Sequence, residues 1–138
     1  MSFSNYTAQA LLNALFGKTS NFGALASAPT IFVALSTADT GETGSGTTEP
    51  SGNGYARVET AAADWGTATN ADPSVITNAE DIAFPQASGP WGTLTHFALY
   101  DAAENGNFLG GGALGTSKAP TNGDTPVFSA GQLSVSLD

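Results

Sequence analysis

A chain of 138 residues with 41% hydrophobic and only 11% charged residues suits one globular domain, and the absence of cysteine excludes disulfides, thiolate metal sites and cysteine nucleophiles. The formal net charge is −9 and the only basic side chains are Lys18, Arg57 and Lys118. Three scattered cations cannot track a phosphate backbone, so neither nucleic acid nor an anionic membrane surface is an expected partner.

No run approaches the roughly 20 apolar residues of a membrane span, and the N-terminus lacks the basic and apolar segments of a secretory signal. Synthesis and folding in a cytoplasm are therefore expected. The low charge, 17 glycines and abundant threonine point to an all-β domain with many turns.

In chain order, residues 5–16 are predicted as the one helix. Ala8, Leu11, Leu12, Leu15 and Phe16 recur at the spacing of an apolar stripe. Ser4 can cap its start, Gly17 can adopt the left-handed conformation after its end, and Lys18 can face the negative end of the dipole. So short a helix must dock on something, either its own sheet or a neighbouring subunit.

Thr30–Ser36 reads as a strand with Ile31, Val33 and Leu35 on one face. Residues 37–53 then break every regular pattern, combining Gly, Thr and Ser with Asp39, Glu42 and Glu49. A loop this long is expected to be either floppy or an ordered contact arm. A second strand covers Gly54–Thr60, with Tyr55, Arg57 and Glu59 on one face. Trp65 anchors the Ala- and Thr-rich stretch that follows, its indole N–H reaching a polar partner.

Glu80–Phe84 alternates and stops at Pro85. Trp91–Asp101 is the longest run with strand chemistry, and because both its faces are largely apolar it reads as a central strand. Asn105-Gly106 signals a two-residue hairpin turn. Phe108–Leu114 returns, and its Gly110–Gly112 run suggests a bulge or the close approach of another backbone. After a turn at Asn122–Asp124, Leu133, Val135 and Leu137 alternate inward against Ser134 and Ser136. About seven strands, with no internal repeat or dividing linker, predict a single-domain antiparallel β-sandwich, jelly-roll-like, over residues 1–138.

The chemical motifs are thin. Asp39-Thr40-Gly41 matches the triplet of aspartic proteases but leads into a Gly-rich loop without the rigid support that chemistry needs. Gly110, Gly112 and Gly115 have dinucleotide-loop spacing without a following helix. His96 is the only histidine; a Ser/His/Asp site with Asp101 or Asp124 is formally possible, but no nucleophile-elbow sequence is present and a hydrogen-bonded core residue is the simpler reading. Trp65, Trp91, Tyr55 and Tyr100 offer either a sugar-stacking platform or ordinary sheet packing. No metal-ligand spacing and no cofactor motif is present, and no enzymatic activity is expected.

The ordered set of motifs does resemble a known family. Leu11-Leu12 in the helix is followed by Thr30-Ile31-Phe32-Val33-Ala34-Leu35, Gly54-Tyr55-Ala56-Arg57 and Ile82-Ala83-Phe84-Pro85. Trp91-Gly92-Thr93-Leu94-Thr95-His96-Phe97 and Gly123-Asp124 come next, ahead of the Gly131–Leu137 strand. Together they resemble small virion proteins of tailed bacteriophages, often labelled tail fibre proteins, some of which look like capsid cement or decoration proteins.

The resemblance implies a structural, non-enzymatic β-sandwich present in several copies and assembled in the reducing host cytoplasm. The first expectation is a cement protein on the capsid exterior, a homo-oligomer, expected to be a trimer, that bridges subunits of the major capsid protein. The alternative is a tail appendage or receptor-binding module that recognises a cell-surface glycan. The nominated partner-contact residues are Asp39, Glu42 and Glu49 in the loop and Leu11, Leu12 and Phe16 on the helix.

Overall fold

The computed structural model describes residues 4–18 and 28–137. Helix α1 (Asn5–Leu15) begins at Ser4, whose hydroxyl accepts the Thr7 N–H. It ends as expected: Gly17 has φ +72°, and the Gly17 and Lys18 N–H groups bond to the Ala14 and Asn13 carbonyls, satisfying groups the helix end would otherwise leave open. The Lys18 side chain does not stay at that end. Its ammonium donates to the Ala62 and Trp65 carbonyls, which pins the helix exit to a short 3-10 turn (Ala62–Asp64).

Eight strands follow: β1 (Ile31–Ser36), β2 (Val58–Thr60), β3 (Ser74–Thr77), β4 (Ile82–Ala83), β5 (Leu94–Tyr100), β6 (Phe108–Lys118), β7 (Val127–Phe128) and β8 (Ser134–Leu137). A four-stranded antiparallel sheet has the order β2-β1-β5-β6, which makes β5 an interior strand, as its two apolar faces predicted. The single-domain all-β expectation holds.

Opposite the sheet stand two separate two-stranded ribbons, β3-β8 and β4-β7, together with α1. Pro85 and Pro126 flank the β4-β7 ribbon, and proline cannot donate to a ladder, so that ribbon stays two residues long. Sheet, ribbons and helix share one core, in which Val33, Leu35, Leu94, Phe97, Trp65 and Leu133 are essentially inaccessible to solvent.

Two polar clamps join these layers. Gln9 and Asn13, four residues apart on α1, bond to the carbonyl and N–H of Ala68, so the helix binds that segment much as a strand would. Asn78 is 1% exposed; its amide donates to the Glu80, Phe128 and Ser129 carbonyls and accepts the Leu133 N–H. It thereby fastens the end of β3 to β7 and to the start of β8.

The turns depart from expectation in one place. Asn105 and Gly106 both take positive φ, as a tight turn requires, yet they sit inside a longer connection spanning 101–107. Asp101 closes that connection by accepting the Asn107 N–H and side-chain amide, and these bonds hold its carboxyl below the usual carboxylate range.

The glycine run in β6 does mark a close approach. A Cβ on Gly111 would lie 2.5 Å from the Phe97 carbonyl oxygen and 3.1 Å from the Thr40 hydroxyl. Gly111→Ala is therefore expected to cost about 2 kcal/mol in urea unfolding, as overpacking against backbone does. Gly115→Ala, with nothing within 4 Å of its added carbon, should stay within about 0.5 kcal/mol of the parent. Equal losses at the two positions would mean that intrinsic glycine effects, not the contact, set the cost.

Candidate interaction surfaces

The 37–53 loop contains no strand, but it is not a free arm. The Thr37 N–H bonds to the Thr48 carbonyl, Thr48 returns to the Ser36 hydroxyl, and Thr40 is buried beneath β6. The tightest fastening is at Glu49. Its carboxylate receives Arg57 Nε at 3.0 Å and Nη2 at 2.8 Å, a two-point bond that suits the planar guanidinium, and the Tyr55 hydroxyl at 2.7 Å.

Arg57 also donates to the Ala102 and Asn105 carbonyls and lies 3.8 Å over the Tyr100 ring. One buried cation thus joins the 37–53 loop, the 101–107 connection and the sheet. Tyr55 extends the network inward. Strand β2 pairs with β1 only from Ile31 to Val33, and the Tyr55 hydroxyl accepts the Leu35 N–H where that pairing has ended.

The charges respond accordingly. Burial of Glu49 works to raise its pKa, but the hydrogen bonds from Arg57 and Tyr55 and the Arg57 charge outweigh it and hold the carboxyl below 4.5. The bond to Glu49 raises Arg57 further against the opposing effect of burial, and burial together with Glu49 pushes the Tyr55 phenol up.

The nominated contact residues therefore separate into two groups. Asp39 and Glu42 are exposed at the loop tip and Leu11 is 37% exposed on α1. Glu49 is committed to Arg57, while Leu12 and Phe16 are 4% and 2% exposed in the core, where Phe16 packs edge-on to Trp65. Three of the six thus have little or no surface to give to a partner, Glu49 because Arg57 holds it and Leu12 and Phe16 because α1 turns them into the core.

The candidate chemistry comes apart in the same way. Asp39 closes a local turn onto the Gly41 N–H with its side chain 81% exposed, unlike a rigid catalytic aspartate. His96 is half-buried rather than in the core. Its Nδ1 is 2.8 Å from the Thr95 hydroxyl, and Asp39 lies 4.0 Å from its Nε2. Asp101 and Asp124, its formal partners, instead hold Asn107 and Thr121.

Gly110, Gly112 and Gly115 all lie within β6, and no helix follows them. Trp65 and Trp91 are buried, with their indole N–H groups on the Thr60 hydroxyl and the Asn53 carbonyl, so the four aromatics form packing and not a platform. Among the described residues no three His, Cys, Asp or Glu side chains come together as a metal group, and no helix is long and apolar enough to cross a membrane.

A second surface was not anticipated. Asn5–Leu15, Ser74–Thr77, Phe108–Ser117 and Leu133–Leu137 contain no charged residue, and they converge as α1, β3, all of β6 but its terminal Lys118, and β8. The signal that could have located it is the absence of Asp, Glu, Lys and Arg from those windows in a chain of net charge −9.

These features define an all-β structural module with its polar groups spent on holding loops and layers together. A family model described as podophage GP4 fiber I protein gp80 matches residues 2–136. The chain belongs to this phage fibre protein family and is a virion structural protein. A search of curated proteins returns no match.

Proposed function

We propose that this chain is a non-enzymatic, multi-copy component of a virion fibre, acting through assembly contacts and not through sugar stacking. The match to a fibre protein family over residues 2–136 carries the reading. The burial of both tryptophans supports an assembly role over a glycan platform built on them. The Glu49–Arg57 network supplies the rigidity such a role needs, since it holds two long loops to one sheet.

A second reading is favoured by the ordered 37–53 loop, which holds Asp39 and Glu42 at an exposed tip. In it, the protein is a capsid cement on the outer shell, a homo-oligomer such as a trimer bridging major capsid protein subunits. Several modest contacts would then add through avidity. The loop tip at Asp39 and Glu42, and not a free arm, would make those contacts.

Immunogold labelling of intact particles separates the two. Gold confined to the tail apparatus is the expected result, and gold spread over the shell would replace the fibre reading with the cement one.

A further inference from the structure

We propose that the uncharged face formed by α1, β6 and β8 is a self-association surface. A second copy of this chain seats there, with Leu11 as the knob and an adjoining cleft as the hole. The cleft has a volume of about 200 Å³ and is lined chiefly by Leu12, Leu15, Leu109, Gly110, Val135 and Leu137, with Leu11 at its rim. That volume is of the order that accepts one large apolar side chain.

Its openness has a local cause. A Cβ on Gly110 would meet nothing within 4 Å, so this glycine leaves empty a place where a larger residue could fill the space between β6, β8 and the helix. Beside it, Leu11 and Tyr6 are exposed at 37% and 50%, both on α1. Knob and hole therefore lie on one patch, which is what a surface that pairs with itself requires.

Charge selects the occupant. Two copies at −9 each repel wherever their acidic residues meet, and interface cores are depleted of charge. The face made by Asn5–Leu15, Phe108–Ser117 and Leu133–Leu137 brings no charged residue to the contact. A basic partner would be drawn instead to the acidic loops, such as the exposed Asp39 and Glu42. The inference rests on the multi-copy role proposed above and names its contact face, and it holds equally for a fibre or a shell location.

Sedimentation velocity of the purified chain tests it across a wide concentration range at low and high salt. The mass is expected to rise above the 13.8 kDa monomer with concentration. Association should strengthen with salt, because screening removes repulsion between copies while leaving the apolar contact in place.

Leu11→Glu should weaken association by about tenfold or more. Gly110→Leu, which fills the cleft from within, should do the same. Thermal unfolding reports whether each variant is folded, and with two independent variants one poorly folded protein does not decide the outcome. A monomer at every concentration, association that weakens with salt, or folded variants that associate like the parent would each overturn the proposal. Because no virion is used, these results are independent of the labelling experiment.

Discussion

Asn78→Ala is expected to lower stability by about 3 kcal/mol and Tm by about 10 °C, the largest effect of any single polar truncation in this protein. The asparagine is 1% exposed, its amide NH2 is shared among three carbonyls and its oxygen accepts the Leu133 N–H, all close to the core. Truncation leaves the Leu133 N–H without its acceptor and takes a donor from the Glu80 and Phe128 carbonyls, while the Ser129 carbonyl keeps the Gln132 N–H. Each orphaned group adds a desolvation cost that an exposed site would not incur.

Asn78→Asp separates volume from donors. It keeps the size and the acceptor for Leu133 but cannot donate to Glu80, Phe128 and Ser129, and it places a carboxylate against their oxygens. Its loss should equal or exceed that of alanine. Urea unfolding of the three proteins measures this, and an alanine variant within about 1 kcal/mol of the parent would show that the clamp is dispensable.

Arg57→Ala should cost about 2 kcal/mol, because it removes one partner of a partly buried pair and takes a donor from the Ala102 and Asn105 carbonyls. The Arg57 side chain is 8% exposed and Glu49 is 25% exposed. Arg57→Lys is not expected to rescue, since an ammonium cannot make the two-point bond to Glu49, reach the Ala102 and Asn105 carbonyls and stack over Tyr100 together.

The pair also predicts a pH dependence. Glu49 is held below 4.5 in the folded chain, so between its folded value and 4.5 the unfolded chain binds more protons. Its contribution is therefore fully present above 4.5 and is lost as the pH falls through the folded value. Glu49→Gln should lower stability at pH 7 and flatten this part of the acid limb in a series of urea titrations. An acid limb identical to the parent's would remove Glu49 from the pH response.

Local and periodic features of this protein were legible from residue order alone. The Ser4 and Gly17 ends of α1, the interior position of β5 and the inward set Leu133, Val135 and Leu137 all follow from side-chain period and backbone preference, whereas Leu11 of the predicted helix stripe stays exposed. These depend on neighbours a few residues away, so the chain states them directly. The close approach at Gly111 was also readable, because only a glycine run leaves a strand bare of side chains.

Long-range polar pairing was not legible. Asn78 meets partners as far as 55 residues away and Arg57 meets partners up to 48 residues away, and no spacing rule links such positions. For the same reason Glu49 looked like a free acid on an arm, and Leu12 and Phe16 like possible contacts. Once the sheet is assembled, all three are used within the chain.

Residue order alone accounts for the all-β class, helix α1, the acidic charge and the family. These rest on composition, period and the order of short motifs. Folding is what makes the second layer two ribbons plus a helix, lets Arg57 fasten two loops to the sheet, and gathers three uncharged segments on one face. Hydrogen-bond demand and burial act between residues brought together only by folding, so these features exist only in the folded chain.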